Sequence, residues 1–196
     1  MATVKATAMV ALLSALATLG IAASVKQRAT RAETPSAAPA AVPLRETTPP
    51  PLLTRRLTMP VQGYDPRKLQ DNFDDMRGGI RRHEALDIMA PRGTPVVAAD
   101  DGEITKLFRS VAGGITVYQA DASQNFVYYY AHLDRYREGL KEGDTVRRGD
   151  VIGYVGSTGN APASAPHLHF TIFELGPDRK WWRGKAVNPY PFLAAR

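Results

Sequence analysis

The chain has 196 residues, of which 44% are hydrophobic and 22% charged, a globular composition with room for one ordinary domain and flanking segments. It carries no cysteine, which excludes a disulfide scaffold and a thiolate metal site and fits an exported protein that avoids oxidative chemistry. A formal charge of +6 and a pI near 9.7 favour anionic partners, but the basic residues are dispersed as Arg81-Arg82, Arg147-Arg148 and Lys180 to Lys185, with neither a helix-turn-helix pattern nor an RNA-binding aromatic signature, so nucleic acid is not an expected partner.

From Ala6 to Val25 there is no charged residue, while Lys5 precedes the run and Lys26, Arg28 and Arg31 follow it. The run approaches the roughly 20 residues that span a bilayer, and the small residues in Gly20-Ile21-Ala22 or Ile21-Ala22-Ala23 also suit a signal peptidase. Residues 1–26 are therefore expected to form an apolar helix that is either a cleaved export signal or a membrane anchor; as an anchor it would make the membrane a partner. Residues 27–58, rich in Ala, Pro, Thr and Arg with Pro49-Pro50-Pro51 near their end, lack the apolar surface to fold and read as a disordered tether. Extended as polyproline II at about 3.1 Å per residue, it would reach roughly 100 Å.

After Met59, turn signals alternate with short β-rich runs. Pro91-Arg92-Gly93 precedes 95–99, Asp101-Gly102 precedes 103–108, and Gly113-Gly114 precedes 115–119, a rhythm that predicts an all-β domain over 59–196. The next run alternates Phe126, Tyr128, Tyr130 and His132 with Val127, Tyr129, Ala131 and Leu133, so His132 is expected at a strand end. Tyr128 and Tyr130 share its parity, and two places are open to them, the wall of a groove or the core. The pieces 96–104 and 146–155 resemble the two halves of a biotinyl/lipoyl-type β-sandwich. A cofactor carrier of that type presents its modified lysine in a hairpin turn, and Asp100-Asp101-Gly102-Glu103 contains none.

Near the C-terminus, Pro166-His167-Leu168-His169-Phe170-Thr171-Ile172 sets His167, His169 and Thr171 on one face of a strand, and Leu168, Phe170 and Ile172 on the other. One face suits a core and the other a cleft. The chain has only four histidines, and the remaining two, His83 and His132, also fall in strand-like stretches. Asp87 follows His83 by four residues. Zn²⁺ takes imidazole nitrogen and carboxylate oxygen, with three protein ligands plus water in catalytic sites, and His83, Asp87 and His169 make such a set. The His83-Glu84 pair is not the start of an H-E-x-x-H helix, because Asp87 stands where the second histidine would be. The Gly156 to Asn160 loop lacks the lysine of a P-loop and is expected to be a groove-edge turn.

His83-Glu84-Ala85-Leu86-Asp87, Tyr130-Ala131-His132-Leu133 and His167-Leu168-His169-Phe170, together with the flanks Phe73-Asp74-Asp75-Met76-Arg77 and Ala186-Val187-Asn188-Pro189, resemble the lysostaphin/LytM-type zinc metallopeptidases, peptidase family M23. The resemblance implies a compact antiparallel β-sandwich or barrel-like domain, a lipoyl-like duplicated motif with an active-site groove across it. It further implies one zinc held by His83, Asp87 and His169, catalytic imidazoles at His132 and His167, and hydrolysis of peptide bonds in bacterial peptidoglycan outside the cytoplasmic membrane, in the periplasm or cell envelope. The rival reading is a non-catalytic scaffold or activator of other wall hydrolases, whose groove a segment such as Pro49 to Arg67 could cover. One departure stands out: the family's usual glycine two residues after the first ligand is Ala85 here, which resists positive φ.

Overall fold

The runs in which β-branched and aromatic residues recur become strands, and all of their pairings are antiparallel. The computed structural model describes residues 55–194, so the expected signal or anchor and nearly all of the expected tether lie outside the described residues. β1 (Met76–Arg77) and β2 (Arg81–Arg82) form a small hairpin. β3 (Leu86–Met89), β4 (Pro95–Val97), β5 (Gly102–Ser110), β6 (Gly114–Asp121), β7 (Phe126–Tyr136), β8 (Thr145–Val146), β9 (Val151–Val155), β10 (His167–Leu175) and β11 (Gly184–Val187) build one nine-stranded sheet. Helix among the described residues is limited to a 3₁₀ turn at Pro66–Lys68 and one α-turn, α1 (Tyr190–Leu193); no helix there is long and apolar enough to cross a membrane. The all-β expectation is met. The lipoyl-like halves also meet each other, with β4 paired to β9 and the start of β5 paired to β8.

β7 organises the sheet because it changes partner halfway. Along one edge it follows β6; along the other, Phe126 to Ala131 pair with β10, and Leu133 to Tyr136 pair with β9. At the changeover the β6–β7 ladder carries one extra residue on β7, and His132 there adopts φ +58°. This is a β-bulge, which bends a strand and re-aims a side chain. It also breaks the period-two pattern expected through His132. Tyr128 and Tyr130 are fully buried in the core, whereas Tyr129 and Ala131 face the same side as His132. The buried hydroxyls have partners: Tyr130 donates to Gln119 Oε1 (2.7 Å) and accepts from Ala99 N (2.9 Å), and Tyr128 donates to Asp100 Oδ2 (3.1 Å).

β10 keeps strict alternation. Leu168, Phe170 and Ile172 are fully buried, which leaves His167, His169 and Thr171 on the opposite face, as the sequence predicts.

The packed chain begins by Arg55, earlier than the boundary at Met59 suggested by the proline pattern. Leu57 joins the core and its N–H donates to Phe192 O (3.2 Å), Thr58 N–H donates to Ala99 O (2.9 Å), and Val61 bridges to Val96. The Arg55 guanidinium is buried between Asp121 (2.8 Å) and Asp100 (3.5 Å), and Arg148 holds the other oxygen of Asp100 (2.6 Å). A buried carboxylate that loses its cation is left with its full desolvation penalty. Arg55→Met is therefore expected to lower unfolding free energy by about 3 kcal/mol, measured by urea denaturation, and a chain starting at Met59 should be less stable still; a loss below about 1 kcal/mol in Arg55→Met would show that the cluster carries no such role.

Candidate functional site

The β3–β10 register sets Asp87 directly opposite His169. His83 reaches them from the turn before β3, where Glu84 takes φ +58° and its carbonyl accepts from the Thr171 hydroxyl (2.7 Å). That turn brings His83 back over its i+4 partner. Ala85 is fully buried and is not among the positive-φ residues, so the strained backbone falls on Glu84 and alanine fits where glycine is usual. Glu84 itself is exposed and does not line the groove.

Three donor atoms converge. His83 Nε2 lies 2.9 Å from Asp87 Oδ1, His169 Nδ1 lies 3.1 Å from the same oxygen, and the two nitrogens are 3.1 Å apart. Among the described residues this is the group of metal-ligating side chains that could hold a metal ion. A tetrahedral centre with bonds of about 2.0–2.2 Å has donors roughly 3.3–3.6 Å apart, so the triangle fits with a few tenths of an ångström of relaxation. Two of the three donors, those of His83 and Asp87, are oriented from behind. His83 Nδ1 lies 2.9 Å from Asn72 O and 3.0 Å from Arg77 Nη2, and Arg77 Nη2–H donates to Asp87 Oδ2 (2.6 Å), which leaves Oδ1 to the imidazoles. Burial alone would raise the pKa of Asp87, but hydrogen bonds from His169 and His83 and their charge outweigh it and hold the carboxyl far below the usual range. Burial lowers the pKa of His169, against the pull of Asp87.

Two further imidazoles face this triangle. His132 Nδ1–H donates to Thr158 O (2.8 Å) and His167 Nδ1–H to Ala165 O (2.8 Å). A carbonyl can only accept, so the proton of each ring in its neutral form sits on Nδ1, with Nε2 unprotonated and turned away from the carbonyl. His167 Nε2 lies 3.6 Å from Asp87 Oδ1, and the His132 ring centroid is 4.9 Å from that of His167 and 5.5 Å from that of His169. Burial, then the neighbouring His169 and His167, push the His132 pKa down to about 4, with the Thr158 bond opposing. His132 is therefore neutral at pH 7.

The carbonyl that holds His132 is itself fixed. The Thr158 hydroxyl donates to Leu133 O (2.7 Å) and accepts from Ile115 N–H (2.9 Å), and Gly159, at φ +75°, passes so close to Ala112 O that a Cβ would collide with it. The groove-edge turn expected at Gly156 to Asn160 is thus a clamp on β6 and β7. The groove it borders holds about 570 Å³, within the range of ligand-sized clefts, and contains all five expected side chains. None of residues 55–67 lines it, so the described part of the segment expected as a possible cover lies elsewhere, against β4 and α1.

Sequence reasoning did not single out three contributors: Tyr129, Arg77 and Arg81. Tyr129 packs edge-on to His169 at 6.1 Å between ring centroids; its parity appeared wrong because nothing in the residue pattern marks the bulge. Arg77 lay within the Phe73 to Arg77 flank, but its bond to Asp87 depends on a hairpin of two-residue strands too short to produce a periodic signal.

The sequence model of peptidase family M23 matches residues 81–189. The chain is 34% identical over 123 residues to an L-Ala--D-Glu endopeptidase of Bacillus subtilis, which covers 60% of this chain and 36% of that protein. It is 36% identical over 117 residues to the peptidoglycan DD-endopeptidase ShyC of Vibrio cholerae, covering 57% and 26%. The fold aligns with the catalytic domain of the antimicrobial peptidase lysostaphin from Staphylococcus simulans at a TM-score of 0.50 and 33% identity, over 61% of this chain and 83% of that one. The chain thus spans about a third of the length of the two curated relatives, or less.

The depressed His132 pKa has a sign that can be checked. Between about pH 6.5 and pH 4 the folded chain binds fewer protons than the unfolded one, so this residue's contribution to stability is present above pH 6.5 and lost as pH falls toward 4. Ring-proton NMR on the metal-free chain should give His132 a midpoint near 4. A midpoint near 6.5, the ordinary histidine value, would contradict the burial argument.

Proposed function

The chain belongs to peptidase family M23, and from that membership we propose that it is a zinc-dependent endopeptidase hydrolysing stem-peptide cross-links of bacterial peptidoglycan. The observation that carries this reading is the convergence of His83 Nε2, Asp87 Oδ1 and His169 Nδ1 opposite two imidazoles held in the Nδ1–H tautomer. His83, Asp87 and His169 would hold the zinc, which when bound supplies a Lewis acid and a water whose pKa is lowered to about 7. His132 and His167, each with an Nε2 free to accept, take a proton from the attacking water and return it to the departing amine. Once protonated, the same Nε2–H can donate to the oxygen that gains charge on the scissile carbonyl. The carbonyls of Thr158 and Ala165 keep both rings from rotating during the transfer.

All five positions carry the side chains that the chemistry needs, which removes the main reason to read the chain as a non-catalytic scaffold. Because the substrate is a wall polymer, the reading places the domain outside the cytoplasmic membrane, in the periplasm or cell envelope, with the uncharged Ala6 to Val25 run as its export address.

Purified peptidoglycan incubated with the zinc-loaded chain should release muropeptides detectable by mass spectrometry, and a chelator should stop the release until zinc is restored. Activity that survives complete removal of metal would sink the metallopeptidase reading. Asp87→Ala and His169→Ala should each lose stoichiometric zinc on dialysis; if both keep it, these residues are not its ligands.

His132→Ala separates chemistry from binding. It should keep its zinc and its thermal melting, while turnover falls by about 10²–10⁴-fold. Undiminished hydrolysis by a folded, zinc-replete His132→Ala protein would remove this residue from the mechanism.

A further inference from the structure

The β1–β2 hairpin sets Arg77 directly opposite Arg81. Directly opposed residues share a face, and like charges in that position destabilise the pair. The neighbouring basic groups have their own counter-charges: Arg77 pairs with Asp87 at 2.6 Å and Arg82 with Asp74 at 2.9 Å. Among the described residues no carboxylate lies within ion-pair distance of Arg81, and its Nη1–H makes a long bond to the adjacent Arg82 carbonyl (3.4 Å). Arg77 and Arg81 both line the groove that contains the four histidines. Among the described residues, Asp87 is the only carboxylate lining that groove, and its two oxygens already face Arg77 and the imidazoles. The mouth of the groove therefore concentrates positive charge that the described residues do not neutralise.

A guanidinium offers planar, forked N–H donors that match a carboxylate, and a cleft lined by one sign of charge concentrates ligands of the other. We propose that Arg81, backed by Arg77, forms a carboxylate-binding subsite that selects peptides carrying a free carboxylate beside the scissile bond. The proposal rests on the peptidase reading and deepens it, since it specifies the charge of the peptide that the groove accepts. Arg77 links the subsite to the metal-binding triangle by its bond to Asp87 Oδ2, so the recognised carboxylate lies within a side chain's reach of the cleaved amide. The repulsion across the hairpin is then relieved when substrate binds.

The test compares native peptidoglycan with the same material after carbodiimide and ammonium treatment, which converts free carboxylates to carboxamides and leaves phosphates unchanged. The zinc-loaded full chain should release muropeptides from native wall at least about tenfold faster than from amidated wall, as expected for loss of a charged hydrogen bond. Arg81→Gln should reduce that ratio to within about twofold while retaining zinc. Lys185→Gln removes the same charge on the exposed part of β11, away from the groove, and should keep the wild-type ratio. Equal wild-type rates on the two walls, an unchanged ratio in Arg81→Gln, or an equal collapse in Lys185→Gln would each overturn the subsite. Co-sedimentation of the chelated chain with the two walls provides an arm that does not depend on hydrolysis. If neither wall is cleaved, the peptidase reading fails; preferential binding to native wall that Arg81→Gln abolishes then upholds the subsite, and equal binding to both walls overturns it.

Discussion

The register of β10 is the constraint on which the site depends. His169 is paired with Asp87 of β3 on one edge and with Ala131 of β7 on the other, so a single residue fixes the His83–Asp87–His169 triangle and its position relative to His132. The register is held from the opposite face. Leu168, Phe170 and Ile172 are fully buried, each worth about 1.5–3 kcal/mol relative to exposure. A one-residue slip would exchange the two faces, putting histidines into the core and these three side chains into the groove. The hydrophobic core thus specifies the geometry of the polar site.

Two strained turns complete the arrangement. Glu84 and His132 both adopt positive φ, a conformation that costs a non-glycine residue on the order of 1 kcal/mol or more. Each is stabilised by a hydrogen bond from or to another strand or loop: the Thr171 hydroxyl donates to Glu84 O, and His132 N–H donates to Gly113 O (2.8 Å). The first turn aims His83 back at Asp87, and the second lifts His132 out of the alternation that buries Tyr128 and Tyr130. Local strain serves the same end in both places, which is to bring an imidazole to a point that regular β geometry would miss.

Much of the architecture could be read from residue pattern. The alternation in 167–172 located the apolar and polar faces of β10 correctly, and the small number of histidines, with Asp87 four residues after His83, pointed to a group of side chains that the fold brings together and that could hold a metal ion. Long-range consequences of local irregularity were not legible. The bulge at His132 has no residue signature, so the parity of Tyr129 was misjudged. Arg55 sits in a proline-rich, polar stretch and looked like tether; only the fold reveals that Asp100 and Asp121, distant in sequence, leave a buried negative site for it. Arg81 likewise reads from sequence as one of several dispersed basic residues; the hairpin register is what places it opposite Arg77.

The central claim is that His83, Asp87 and His169 form one zinc centre, with His132 and His167 beside it but outside the coordination shell. Anomalous diffraction at the zinc edge from crystals of the zinc-loaded chain tests this most directly. The account predicts a single strong peak at about 2.0–2.2 Å from His83 Nε2, Asp87 Oδ1 and His169 Nδ1. A peak bonded instead to His132 or His167, or the absence of any peak among these side chains in a zinc-replete crystal, would contradict it.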